Sequence, residues 1–327
     1  MGPSVEITPA LKAAFEGAFA ALDSAHQPRS GEEWSWRTAG VPGGAPAETL
    51  LDSEGCVQAH YASLGTAVLW QGQRLPVAQV VDTFAAQDLS LPRRVRAFTL
   101  ACEGFVKRTC LPEPDGFVLC YGFPVRPAWR IGRAYMGYSV LQEFWRLGIS
   151  AEDAARAEVA GDLGLEQDAD WPEDLAPLFA EHAEKLGVPF LRDAEFLRWR
   201  FDERPKVKYA KCLLRRGQDL VGWAVLRVTT WSGERVALVC DRFCVPGDEA
   251  GEFALDHWLG TRALAGGVTH LVGASGEHGP ELGDAQRRGW RVGRSEYCMV
   301  GRSFDPARPV HDWARRLRWT LGDTDLV

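Results

Sequence analysis

The stretch Trp70-Gln71-Gly72-Gln73-Arg74, followed by the apolar run Val77 to Phe84, occurs twice in this chain. Trp231-Ser232-Gly233-Glu234-Arg235 repeats the W-x-G-x-R turn 161 residues on, and Val236 to Phe243 repeats the run. Each turn carries a central glycine, and each run is rich in β-branched residues, so both read as a turn into a strand. Asp82 and Phe84 stand in the first copy as Asp241 and Phe243 stand in the second. Trp36-Arg37-x4-Pro42 is echoed by Trp199-Arg200-x4-Pro205, and Trp129-Arg130-Ile131-Gly132-Arg133 by Trp290-Arg291-Val292-Gly293-Arg294. Four collinear matches at nearly one spacing imply an internal duplication. A period this long means two domains rather than a solenoid, whose repeats run to about 20–50 residues.

Two domains of ordinary size suit 327 residues, with expected spans of 1–168 and 169–327. An apolar share of 46% with 25% charged residues is that of a soluble globular protein. The net charge of −7 argues against nucleic acid as a general partner. No apolar run reaches the length of a membrane span, and the N-terminus lacks the pattern of a secretory signal, so a cytoplasmic location is expected. The eight cysteines show no C-x-x-C spacing and the seven histidines are scattered. They read as small buried hydrophobes without a metal site.

Helices are expected at Thr8–Leu22, Arg93–Arg108, Pro172–Leu186, Glu252–Ala265, Pro280–Arg288 and Pro306–Trp319. Leu11, Phe15, Phe19 and Leu22 illustrate the helical spacing. In the first half, strands are expected near Thr49–Leu51, Cys56–Val68, Gln73–Ala85, Phe117–Tyr121 and Arg130–Tyr138. In the second they are expected at Ala210–Leu214, Leu220–Thr229, Val236–Phe243, His270–Gly273 and Arg291–Val300. Gly148–Pro172, rich in acids and alanine, reads as a connector.

This order resembles the GNAT (N-acetyltransferase) fold, twice over. The residues carrying the resemblance are Leu220-Val221-Gly222-Trp223-Ala224-Val225, the strand ends Asp82-Thr83-Phe84 and Asp241-Arg242-Phe243, and Arg287-Arg288-Gly289-Trp290-Arg291. The resemblance implies an α+β fold of two GNAT-like units, each a mostly antiparallel twisted sheet flanked by helices. It also implies acyl transfer from acyl-CoA, acetyl-CoA among them, to an amine on a small molecule, sugar or natural product, with no metal. The family's glycine-rich pyrophosphate loop is missing. Leu91-Pro92-Arg93-Arg94-Val95-Arg96 holds its place in the first unit, and Val245-Pro246-Gly247-Asp248-Glu249-Ala250-Gly251-Glu252 in the second. Arg93, Arg94 and Arg96 are therefore the expected phosphate ligands, and the acids of the second loop would repel a pyrophosphate. An aminoacyl-tRNA donor, or a binding protein without catalysis, are the alternatives.

Amine acylation needs a base, a donor for the carbonyl oxygen and an acid for the leaving thiolate. Asp82 and His60 are the candidate bases, and Tyr135 and Tyr138 the candidate acids. The recurrence of Asp82 at Asp241 also suits an acid bonded to an arginine. The tail Asp323-Thr324-Asp325 is a candidate for closing a cleft.

Overall fold

The computed structural model describes residues 7–22, 26–112, 115–231, 233–278 and 281–325. Ser232 of the repeated turn, Pro280 and the terminal Leu326-Val327 lie outside them. The first half of the sequence forms α1 (Pro9–Leu22), α2 (Gly31–Thr38), β1 (Ala47–Leu51), β2 (Val57–Trp70), β3 (Gln73–Ala85), α3 (Leu91–Thr109), β4 (Leu119–Gly122), α4 (Arg126–Tyr135) and β5 (Ser139–Ser150). After α5 (Ala151–Ala155) and β6 (Leu163–Gln167), the same order returns. It runs α6 (Leu175–Leu186), β7 (Val188–Pro189), α7 (Ala194–Leu197), β8 (Ala210–Arg216), β9 (Asp219–Trp231), β10 (Glu234–Cys244), α8 (Glu249–Ala265), β11 (His270–Gly276), α9 (Glu281–Arg287) and β12 (Arg291–Ser303). α10 (Val310–Arg316) and β13 (Leu317–Arg318) close the chain, and β13 pairs in parallel with β7.

Two compact units result, and neither is one half of the sequence. Unit 1 comprises Met1–Val68, Arg74–Leu141 and Met299–Asp312; unit 2 comprises Leu69–Gln73, Gln142–Cys298 and Trp313–Val327. The expected division at 168/169 therefore falls inside unit 2. In unit 1, β4 pairs antiparallel with the end of β12, Leu119–Gly122 against Val300–Ser303. In unit 2, β11 pairs antiparallel with β5 from His270↔Ser150 to Gly276↔Phe144. Each sheet is thus completed by a strand drawn from the other half of the sequence.

Packing follows from the apolar stripes. In unit 1, α1 sets Leu11, Phe15 and Ala18 against Trp34, Val57 and Phe84. The other face receives α3 through Ala97, Ala101, Cys102 and Phe105, at helical spacing. In unit 2, α8 buries Ala254, Leu255, Trp258, Leu259 and Ala263 against Cys212, Leu214, Ala224, Leu226 and Ala237 of the sheet.

Several expectations are corrected. Arg130–Tyr138 is not a strand. Arg126, Arg130 and Arg133 recur at helical spacing on α4, and the strand begins only at Ser139. Gly148–Pro172 is not a connector, because β5 runs through Ser150 and β6 pairs along β8. The final helix is shorter than Pro306–Trp319 and stops at Arg316, where the chain turns to pair with β7. The W-R-x-G-R match joins helix α4 to strand β12, so it is no structural correspondence. The other matches fall on equivalent places: the β2–β3 and β9–β10 turns, and the second helix of each half with its continuation.

Gly222 lies on β9 opposite Cys244. A Cβ there would stand 2.6 Å from the Phe243 carbonyl oxygen. Gly222→Ala should lower the stability of unit 2 by about 1–3 kcal/mol, the usual cost of overpacking. Gly293→Ala, where a Cβ meets nothing within 4 Å, should change it by less than about 0.5 kcal/mol. Urea denaturation followed by tryptophan fluorescence compares the two.

Candidate functional site

In the main sheet of each unit a pair of parallel strands parts. In unit 1, β3 and β4 run together at Val77↔Leu119, Ala78↔Cys120 and Gln79↔Tyr121. In unit 2, β10 and β11 pair only at Ala237↔Leu271 and Leu238↔Val272. Beyond that point β10 stays with β9 as far as Cys244, and β11 stays with β5 as far as Gly276. The helices that follow the parting strands begin at their carboxyl ends, which is where open sheets place ligands.

The two units meet that place with opposite electrostatics. In unit 1, α3 starts after Ser90 with no side-chain cap and no acid in its first turn. Arg93 and Arg96 are exposed, while Arg94 donates to the Gln87 and Leu89 carbonyls. α4 starts after Val125, again with no side-chain cap and no acid in the first turn, and Arg126 and Arg130 are exposed. Two helix starts with open N–H groups and nearby guanidiniums suit an anion.

In unit 2 the corresponding helix start is occupied. Asp248 caps α8 by accepting from the Gly251 N–H at 2.9 Å, and Glu249 and Glu252 lie in the first turn. Arg216 pairs with Asp248 at 2.9 Å. Arg242 and Arg288 are both clasped by Glu252 and Asp256.

Where β10 and β11 part, a cleft of about 190 Å³ opens. Phe179, Phe190, Trp223, Phe243, Trp290 and Trp319 line it, with Arg192, Asp241 and Asp323 at one end. Those three polar side chains form a buried network. Arg192 donates to Asp241 at 2.9 Å and to Asp323 at 2.8 Å, the Trp223 Nε1–H donates to Asp241 at 2.9 Å, and the Thr320 hydroxyl donates to Asp241 at 2.6 Å. Burial raises the Asp323 carboxyl above its ordinary value, and Arg192 opposes the shift. The tail singled out in the sequence thus ends one wall of this cleft.

The four candidate catalytic residues of unit 1 do not converge. His60 and Tyr61 are neighbours on β2 and so point to opposite faces. The His60 ring bonds the Thr49 hydroxyl at 2.8 Å and lies 5.8 Å from Phe84, on the face covered by α1 and α2. Asp82 is on that face too, clamped by Arg29 at 2.7 Å and Arg37 at 2.9 Å. Tyr61 faces α3, packs on Phe98 and Phe105, and shares a 2.6 Å hydrogen bond with Tyr138. Tyr135, at 62% exposed, lines a separate cavity of about 300 Å³ with Cys102, Glu103 and Arg302.

Their environments set their acidities. Burial would raise Asp82, but Arg37 and Arg29 outweigh it and hold the carboxyl well below the carboxylate range. Burial pushes His60 down to about 4, against a weaker pull from Asp82. Burial raises Tyr138 far above an ordinary phenol. Asp82 also sits at φ 54°, left-handed backbone that a non-glycine residue adopts at a cost. The residues that reading the sequence missed are the arginines of the clamps. Arg29 and Arg192 stand 163 residues apart, as Trp36 and Trp199 do, and that offset was the available signal.

The buried residues make acid stability predictable. The folded protein holds His60 at about 4 against an ordinary 6.5, so the unfolded chain binds a proton first. Stability should fall as pH drops from 6.5 to 4, by up to about 3 kcal/mol from this residue. Asp82, depressed in the fold, should add a loss below about pH 4. His60→Gln should flatten the dependence between pH 6.5 and 4, read as urea midpoints against pH.

No protein-family model matches the sequence, and no curated protein does. Solved structures do. One is a conserved protein from Enterococcus faecalis described as a probable N-acyltransferase. It has a TM-score of 0.66 and 15% identity, covering 89% of this chain and 68% of that one. A GCN5-related N-acetyltransferase from Anabaena variabilis gives 0.65 and 13%, covering 90% and 70%. A tandem GNAT protein from the clavulanic acid biosynthesis pathway gives 0.53 and 13%, covering 89% and 93%. At such identities the likeness is one of architecture. This chain has the tandem GNAT fold.

Proposed function

We propose that this protein is an acyltransferase that carries an acyl group from acyl-CoA to an amine of a small molecule, sugar or natural product. The observation that carries the reading is the carboxyl end of the parting strands in unit 1. There two helix starts without side-chain caps stand beside the exposed Arg93, Arg96, Arg126 and Arg130. The CoA diphosphate would take those N–H groups and guanidiniums, and its pantetheine arm would enter between β3 and β4. Charge-assisted bonds of this kind outweigh neutral ones about twofold.

In the reaction the amine nitrogen bonds to the thioester carbonyl carbon, the C–S bond breaks, and one proton passes from the amine to the thiolate. Charge developing on the carbonyl oxygen would be accepted by backbone N–H groups of β3 beyond Gln79, where the strand has left β4. Tyr135 would relay that proton, giving its phenolic proton to the thiolate and recovering one from the amine through solvent. Asp82 and His60 act by position, since one is locked between guanidiniums and the other is a neutral imidazole. No helix among the described residues is long and apolar enough to cross a membrane.

Calorimetric titration of acetyl-CoA tests this. Wild-type protein should bind it. The combined Arg93→Ala, Arg94→Ala, Arg96→Ala variant should bind about a hundredfold more weakly, as expected for two or more lost charged bonds. Asp248→Ala should leave the affinity unchanged. Absence of acyl-CoA binding by the wild type contradicts the reading.

A further inference from the structure

We propose that the cavity of about 300 Å³ in unit 1 is a binding site for a free α-amino acid with an apolar side chain. Cys102 and Glu103 line it about three turns along α3 from the start of that helix, together with the end of α4 and Arg302 of β12. No described residue lining it belongs to β3 or β4, so it is not the gap between those strands. The inference goes beyond the acyl transfer proposed above and stands whether or not that reading holds. Tyr135 lines the cavity too and is the one group that both readings share.

Arg302 is half-buried, and no acid pairs with it among the described residues. Its guanidinium is nevertheless held in place. Nη1 donates to the Met136 carbonyl at 3.0 Å, and the Phe304 ring lies 4.8 Å away. Gly137, at φ 70°, flanks it with bare backbone, and a Cβ there would stand 3.6 Å from Nε. The Nε–Nη2 edge has no protein partner and is not sealed from solvent. That edge is the fork that takes a carboxylate through two parallel N–H donations. Arg29 and Arg37 of the same unit, by contrast, already share Asp82.

Glu103 selects among carboxylates. It lines the same cavity, makes no ion pair among the described residues and does not pair with Arg302. Both charges are felt at Cys102, which is 1% exposed. Burial lifts its thiol to about 11, Arg302 pulls the other way, and Glu103 adds to the rise. The cavity therefore holds a cation and an anion that do not neutralise each other. A plain carboxylate or a phosphate is drawn by one and repelled by the other. A zwitterion satisfies both, with its carboxylate on Arg302 and its ammonium on Glu103. The neutral thiol of Cys102 and the buried Met136 give the amino acid's own side chain apolar contact. The volume is at the small end of ligand pockets, which suits an amino acid rather than a nucleotide.

The test is calorimetric titration of glycine, L-alanine, L-leucine and L-methionine into the full chain without acyl-CoA. One amino acid should bind per chain, L-leucine and L-methionine more tightly than glycine. Isocaproate is L-leucine without its ammonium, and isoamylamine is L-leucine without its carboxylate. Each should bind at least about tenfold more weakly than L-leucine, as expected for one lost charged contact. Arg302→Lys keeps the charge but removes the fork, and should weaken L-leucine by a similar factor. Glu103→Gln should weaken L-leucine and strengthen isocaproate, opposite changes that loss of folding cannot produce. The Arg93→Ala, Arg94→Ala, Arg96→Ala variant should bind L-leucine as the wild type does, so failure of the donor site and failure of this one are read separately. The inference is overturned by a wild type that ignores all four amino acids, or by isocaproate binding as tightly as L-leucine. An unchanged preference between the two in Glu103→Gln would also overturn it.

Discussion

In each unit an aspartate is buried at a break in the central strand, and an arginine from the loop after the first helix holds it. Asp82 stands at a left-handed residue of β3, Asp241 just past a bulge in β10. The break lets the central strand leave its parallel neighbour and open a cleft. A bare carboxylate in that position would cost several kcal/mol, so the cation is obligatory. Arg29 and Arg37 meet the need in unit 1, and Arg192 meets it in unit 2. Because these arginines lie beside the first two helices of each repeat, the same ion pairs fix those helices on the sheet. Asp323 joins the second clamp, so the end of the chain is held by the same cation.

Around this common scaffold the two units diverge where a ligand would arrive. The α3 and α4 starts in unit 1 keep their N–H groups clear of side chains and carry exposed arginines. The α8 start in unit 2 is closed by Asp248, and its neighbouring guanidiniums are spent on Glu252 and Asp256. Both arrangements satisfy the helix dipole, one by leaving room for an external anion and the other by an internal carboxylate. Divergence of this kind changes ligand without disturbing the core.

Much of this was legible in the residues. The turn glycines and the Trp-Arg pair carried the repeat because they answer to local geometry. Leu220 to Val225 announced its strand, and Gly222 is required there by the approach of the Phe243 carbonyl. The acids of the second unit's loop are legible in the residues once the GNAT resemblance marks where the pyrophosphate loop would stand. What was hidden depends on distant pairing. α4 is hidden because Trp129-Arg130-Ile131-Gly132-Arg133 so nearly repeats Trp290-Arg291-Val292-Gly293-Arg294, which leads into a strand. Nothing local shows that β5 and β12 complete the sheets they do. The clamp on Asp82 is not legible locally, because Arg29 and Arg37 lie 53 and 45 residues away in sequence.

The central claim is that only unit 1 receives a nucleotide. The most direct test is a crystal structure of the full chain with a non-hydrolysable acetyl-CoA analogue in excess. The account predicts one analogue per chain, its diphosphate at the starts of α3 and α4 within reach of Arg93 and Arg96. A nucleotide seated at the start of α8 beside Asp248, or one in each unit, would contradict it.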